Sequence, residues 1–116
     1  MKQNLEENKL NAIRFIILVG ILFSMFGAIC NILVVGFNDG RMPVKMDEYH
    51  NSSTHFSFES NDEIIWSSLA DSTRIRQLYF SLGDLFMAVG IILILFGLIM
   101  QLRIAIKLRK IKNSLV

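Results

Sequence analysis

Two long uncharged stretches of mainly apolar residues divide the chain. No charged residue occurs from Phe15 to Asn38, a run of 24 residues, or from Leu85 to Leu102, a run of 18 residues. An α-helix needs about 20 apolar residues to cross a bilayer hydrocarbon core of about 30 Å. Each stretch is therefore predicted to form a transmembrane helix. We expect the first to be retained, because the apolar part of a cleaved signal peptide spans only about 7–15 residues.

These stretches predict an all-α integral membrane protein: an antiparallel hairpin of two transmembrane helices with a small extracytoplasmic cap and a basic cytoplasmic helix extension. In order, the segments are a polar arm over 1–14, transmembrane helix 1 over 15–37, an outer segment over 38–77, transmembrane helix 2 over 78–102 and a basic tail over 103–116. The tail continues the second helix at helical spacing. Within the outer segment we predict a strand at His55–Glu59 and a short interfacial helix at about 61–70.

The distribution of lysine and arginine sets the predicted orientation. The two terminal segments, 1–14 and 103–116, together hold eight basic residues. The outer segment holds four basic residues and seven acidic ones. We therefore expect both termini to be cytoplasmic and residues 38–77 to lie outside. The basic tail faces anionic lipid headgroups in this interpretation, and nucleic acid is not expected as a partner.

Composition supports a membrane protein and offers little chemistry. The chain is 53% hydrophobic and 19% charged, whereas soluble domains average about 25% charged residues. A single cysteine, Cys30, excludes an internal disulfide and a cysteine-based zinc site. His50 and His55 match no defined metal-ligand spacing and are interpreted as solvated loop residues. No catalytic set emerges, so we expect no enzyme activity, metal or cofactor.

Small residues repeat along each predicted span. Gly20, Ser24, Gly27 and Asn31 are spaced by 4, 3 and 4 residues in the first span. Gly83, Gly90 and Gly97 recur every seven residues around the second. Small residues at this spacing let two helix backbones approach closely in lipid. We call these two rows of small residues seams. Either the two seams face each other in an intramolecular hairpin, or one of them packs against a second copy or another partner.

Asn31 and Asp84 are polar residues within the predicted spans, and their roles can be interpreted in two ways. Each lies six residues from the predicted outer end of its span, which places both about 9 Å deep. The Asn31 amide can therefore donate to the Asp84 carboxylate, and a carboxylate in a membrane by default marks a functional site. Alternatively, Ser81 and Asp84 form a capping box at a helix N-terminus. The two interpretations are compatible.

Several blocks of the sequence resemble a family of small bacterial membrane proteins known only as a domain of unknown function. Residues 27–35 followed by Asn38–Val44 resemble that family's span and its Asn-Gly-Gly-Arg-Met-Pro-Val-like block, with Asp39 standing where the family usually has glycine. Thr73-Arg74-Ile75 is similar to a Thr-Arg-Leu-like block. Ser81-Leu82-Gly83-Asp84 is similar to the Ser-Ile-Gly-Asp block that opens the last span.

The resemblance covers roughly residues 27–100 and implies a bacterial membrane location without supplying an activity. It also implies one cluster of residues at the outer membrane boundary. Its members are Asn31, Asn38, Gly40, Arg41, Pro43, Thr73, Arg74, Ser81 and Asp84. We take six of these as candidate binding residues: Asn31, Asn38, Arg41, Arg74, Ser81 and Asp84.

Three functions are compatible with the sequence. The first is a non-enzymatic accessory or assembly subunit of a bacterial cytoplasmic-membrane complex, with copies of itself or other membrane proteins as partners. The second is a pore, as in a channel or a holin-like homo-oligomer, which requires a polar stripe along a span. The third is a lipid-processing membrane enzyme that uses Asp84, Arg41 and the histidines.

Overall fold

The helical-hairpin prediction is confirmed in its coarse form. A computed structural model of the chain describes residues 1–44, 55–57, 69–71, 73–75 and 78–116. Two long helices, α1 at Lys2–Phe37 and α2 at Leu82–Ser114, pack against each other. The all-α class is too narrow, because four three-residue strands lie between the helices in sequence: β1 at Met42–Val44, β2 at His55–Ser57, β3 at Thr73–Ile75 and β4 at Leu78–Phe80.

Both helices are long and apolar enough to cross a membrane by length and composition. At 1.5 Å per residue, the 36 residues of α1 and the 33 residues of α2 span about 54 Å and about 50 Å. Each helix is thus longer than a hydrocarbon core of about 30 Å. Residues 2–14, predicted as a polar arm, continue α1 without a break, and the basic tail continues α2 as predicted.

The second helix begins later than the predicted span. The prediction placed its start at residue 78, whereas residues 78–80 form β4 and α2 begins at Leu82. β4 pairs antiparallel with β3, and Thr73 is opposite Phe80. Aromatic and aliphatic residues suit a strand as well as a span, so hydropathy alone did not separate the two elements.

The strands β1 and β2 form a second, parallel pair in which Met42 is opposite His55. β2 starts where the predicted strand His55–Glu59 starts, and residues 58–59 lie outside the described residues. The predicted helix at about 61–70 also lies outside them, apart from residues 69 and 70. All three residues of β1 are buried.

The chain forms two compact units, of which the first contains Met1–Phe23 and Val89–Val116. In this unit, every seventh residue of each helix is buried: Glu6, Ile13 and Gly20 in α1, and Gly90, Gly97 and Ile104 in α2. A Cβ atom added to Gly20 would lie 2.7 Å from the Gly90 carbonyl oxygen. A Cβ added to Gly97 would strike the Ile17 side chain. The helices are therefore antiparallel, with their backbones in close contact along the predicted seams.

An ion pair joins the two helices near the chain termini. The Lys107 Nζ donates to Glu6 Oε1 at 2.6 Å, and Lys9 lies 3.4 Å from the same oxygen. The hydrogen bond from Lys107 holds the pKa of Glu6 below its usual value, against the opposing effect of burial. Glu6, the buried position of this row that lies nearest the N-terminus, thus makes a polar contact where Gly20 makes a backbone contact.

The second unit contains residues 24–88. Its helix contact centres on Gly27 and Gly83, where a Cβ on either residue would strike the backbone carbonyl oxygen of the other. The rings of Phe26 and Phe86 meet edge to face with centroids 5.1 Å apart. Val34 is fully buried further along α1.

Candidate functional site

The N-terminus of α2 is closed by a capping box. The Asp84 backbone N–H donates to Ser81 Oγ at 3.1 Å, and the Ser81 backbone N–H donates to Asp84 Oδ2 at 3.0 Å. This reciprocal pair satisfies two of the N–H groups that a helix start leaves without intrahelical partners. The predicted capping box is therefore confirmed, with Ser81 as the N-cap residue and Asp84 at the third helical position.

Asn31 from α1 completes this network, as predicted. Its Nδ2 donates to Asp84 Oδ1 at 2.7 Å, while its Oδ1 accepts a hydrogen bond of 2.7 Å from Ser81 Oγ. The three residues thus form a closed ring, which we call the polar ring and in which backbone N–H groups link Ser81 to Asp84. Asp84 binds through both oxygens, and the Ser81 hydroxyl both donates and accepts. Networks satisfied in this way rigidify a structure.

Glycine is required beside the polar ring. A Cβ added to Gly83 would overlap Asn31 Oδ1 and lie 2.6 Å from the Gly27 carbonyl oxygen. Ser24, one turn of α1 before Gly27, donates a long hydrogen bond of 3.5 Å to the Met87 carbonyl. The predicted packing residues Ser24, Gly27 and Gly83 therefore lie together next to the ring and bring the two helices close enough for Asn31 to reach Asp84.

Asn38 and Arg41 lie at the end of α1. The buried Asn38 donates from Nδ2 to the Val34 carbonyl at 2.7 Å and so binds one of the last carbonyls of the helix. The Arg41 guanidinium lies over the Phe56 ring, with Cζ 5.1 Å from its centroid, a cation–π contact. No ion pair of Arg41 is present among the described residues.

The turn after α1 explains the glycine expected at position 39. Asp39 has a φ of 56° and Gly40 a φ of 74°, and the Gly40 N–H donates to the Val35 carbonyl at 2.9 Å. Glycine adopts positive φ without strain, and aspartate is one of the few other residues found there. Asp39 is therefore a tolerated substitute for glycine in this turn.

Asp71 is a buried acid that the sequence did not single out. Only 2% of Asp71 is exposed, its N–H donates to the Pro43 carbonyl at 3.0 Å, and it forms a parallel bridge with Val44. Its Oδ2 lies 3.4 Å from His55 Nε2. Its Oδ1 is buried and has no hydrogen-bond partner within the described structure. Burial first, and the charge of Asp84 second, raise the pKa of Asp71 to about 6, while His55 acts in the opposite direction.

The structure therefore brings three of the six candidate binding residues together, and the other three make separate contacts. Asn31, Ser81 and Asp84 form the polar ring, whereas Asn38 caps α1 and Arg41 contacts Phe56. Arg74 lies in β3 with its backbone paired to Tyr79. His55, interpreted from sequence as a solvated loop residue, instead lies against Asp71. No local pattern identified Asp71, because its partners lie in distant β1 and β2.

The chain matches a known protein family. The model of a family of unknown function, DUF5317, matches residues 13–96 of the chain. The chain belongs to the DUF5317 family. The resemblance to a domain of unknown function is thereby confirmed. No curated protein and no solved structure matches the chain.

The region matched by DUF5317 contains the polar ring, Asp71 with His55, and the close contact between Gly27 and Gly83. The ion pair between Glu6 and Lys107 lies outside it. The geometry of the DUF5317 segment is that of a helix pair locked by a hydrogen-bonded ring. The ring uses its polar atoms internally, so its chemistry is that of a structural clasp between α1 and α2.

Proposed function

We propose that this protein is a non-enzymatic accessory or assembly subunit of a complex in a bacterial cytoplasmic membrane. The main support for this proposal is that few residues of either helix are buried within the chain itself. In the most apolar window of α1 only 17% of residues are buried, and in that of α2 only 11%. Large side chains such as Ile32 and Ile92, exposed by 69% and 64%, are left for lipid and for partner helices.

The way the two helices associate supports this role. Their contact includes close approaches at glycines and the polar ring, and it leaves large aliphatic residues such as Ile32 and Ile92 exposed. Helices in lipid associate through packing and hydrogen bonds rather than through hydrophobic burial. A rigid pair with wide apolar faces is suited to pack against other spans. The partners are further membrane subunits or copies of the chain itself.

The pore alternative has less support. A pore needs polar groups that line a continuous path. In the described spans, Ser24, Asn31 and Asp84 direct their hydrogen bonds into the hairpin. The enzyme alternative is not favoured by any contact of the polar ring, whose Ser81 hydroxyl donates to an amide oxygen rather than to a base.

We expect photocrosslinking to capture a partner protein on the exposed helix faces. A photoreactive residue is placed at Ile32 or Ile92, and at exposed Leu115 in the tail as a matched control outside the spans. Irradiation of intact membranes should give a discrete protein adduct from at least one span position. Lipid adducts alone at both span positions, together with a monomeric mass in mild detergent, would contradict the proposal.

The proposed topology places both termini in the cytoplasm and residues 38–77 outside. With the buried Cys30 replaced by alanine, a cysteine is introduced by Ser53→Cys or by Ser114→Cys. In intact spheroplasts, a membrane-impermeant maleimide should label residue 53 directly and residue 114 only after permeabilisation. The positive-inside distribution of basic residues is the physical reason. The reverse labelling pattern would show the opposite orientation.

A further inference from the structure

We propose that Asp71 and His55 form a proton-binding site in the outer segment, and that uptake of one proton tightens the attachment of residue 71 to β1. The site is built from three contacts. The Asp71 backbone N–H binds the Pro43 carbonyl, Val44 bridges to residue 71, and the Asp71 carboxylate faces His55 at 3.4 Å. This inference is independent of the proposed subunit role.

The burial of the carboxylate is the first argument. Asp71 is 2% exposed, and its Oδ1 has no hydrogen-bond partner in the described part of the chain. A buried ionised carboxylate without full hydrogen bonding is costly and is relieved by a proton. A proton on the Asp71 carboxylate removes the uncompensated negative charge beside His55.

The charged surroundings of Asp71 point the same way. Asp84 on α2 is a second negative charge close enough to raise the pKa of Asp71, and His55 on β2 lowers it. β1 supplies no titratable group, since its residues are Met42, Pro43 and Val44. The guanidinium of the preceding Arg41 lies over the Phe56 ring, and Arg74 in β3 is the charged residue next along the described chain.

The direction of the pH effect follows from the raised pKa. We call the state in which residue 71 is attached to β1 closed, and the state in which it is detached open. A group whose pKa is higher in the closed state than in the open state stabilises the closed state at acid pH. That contribution is lost as the pH rises through the higher value, which is about 6 for Asp71. The contact between residue 71 and β1 should therefore be tighter at pH 5 than at pH 8.

Hydrogen exchange of the Asp71 amide tests this directly, because that N–H is bonded to Pro43. The full chain is labelled in detergent at pH 8 and pH 5, with labelling times rescaled for the intrinsic exchange rate. Since pH 5 lies one unit below a pKa of about 6, protection of peptides covering 69–75 should rise about tenfold at pH 5. An unchanged protection at the two pH values would overturn the proposal.

Three variants complete the test. Asp71→Asn mimics the neutral acid and should be well protected at both pH values; an exchange-labile Asp71→Asn, or one that keeps the wild-type pH response, would also overturn the proposal. His55→Gln removes the group that lowers the Asp71 pKa, so the response should persist and move to higher pH. Asp39→Asn removes an exposed carboxylate of the same segment and should leave the wild-type response intact.

Discussion

Replacing Gly27 with leucine is expected to separate the two helices in the unit that holds the polar ring. A Cβ at this position already overlaps the Gly83 carbonyl oxygen and lies 2.8 Å from the Met87 backbone nitrogen. Both obstacles are backbone atoms, which cannot move aside as a flexible side chain can. Even Gly27→Ala should weaken the pair, by about 1–3 kcal/mol as for other overpacked cores.

Crosslinking measures the separation. Cysteines replace Phe26 and Phe86, whose rings are 5.1 Å apart, in a background without Cys30, and a short bifunctional maleimide joins them. The yield should fall strongly for Gly27→Leu and partly for Gly27→Ala. A wild-type yield for Gly27→Leu would show that the helices do not meet along this seam.

Two other glycines provide matched controls. A Cβ added to Gly97 would strike a side-chain atom of Ile17 rather than backbone, in the unit that does not hold the cysteine pair, so Gly97→Ala should reduce this crosslink less than Gly27→Ala. Gly36 is also in α1 but has no atom within 4 Å of an added Cβ. Gly36→Ala should therefore leave the crosslink unchanged and favour the helix slightly, since alanine has a higher helix propensity than glycine by about 1 kcal/mol.

The helix pair could be predicted because its signals are local and periodic. Uncharged runs of sufficient length predict the helices, and the seven-residue spacing of Gly83, Gly90 and Gly97 predicts the face that the structure buries. The bond between Asn31 and Asp84 was predicted from matching depth in two spans. That bond exists, although α2 begins at Leu82 and Asp84 is only its third residue. The pairing was predicted correctly, and the helix start follows the predicted capping box at Ser81 rather than the predicted span start at residue 78.

The outer contacts could not be predicted in the same way, because they join residues far apart in sequence. β1 pairs in parallel with β2, which begins 11 residues after β1 ends, and a parallel partner leaves no turn signal to mark it. Asp71 is joined to Pro43 by a backbone hydrogen bond and to Val44 by a bridge, and no spacing rule connects these positions. The contact of Arg41 with the Phe56 ring likewise joins the residue before β1 to β2.

Asp84→Ala is expected to loosen both the start of α2 and the outer segment. The substitution removes the acceptor of the 2.7 Å bond from Asn31 and of the 3.0 Å bond from the Ser81 N–H. Hydrogen bonds to a charged group each contribute about 1.5–3 kcal/mol, and the Asn31 amide is left unsatisfied. Limited proteolysis of the detergent-solubilised chain should therefore cleave faster within residues 45–60. Unchanged cleavage would count against the ring as the clasp of this segment.

A double-mutant cycle with Asn31→Ala separates the clasp from simple helix capping. If the ring acts as one unit, Asn31→Ala alone accelerates cleavage, and adding it to Asp84→Ala accelerates cleavage little further, because their shared bond is already lost. If Asp84 acted only as a capping residue, Asn31→Ala would leave cleavage at the wild-type rate. Ser24→Ala is the matched control on the same face of α1, since its hydrogen bond to Met87 is long at 3.5 Å. It should change the cleavage rate least of the four variants.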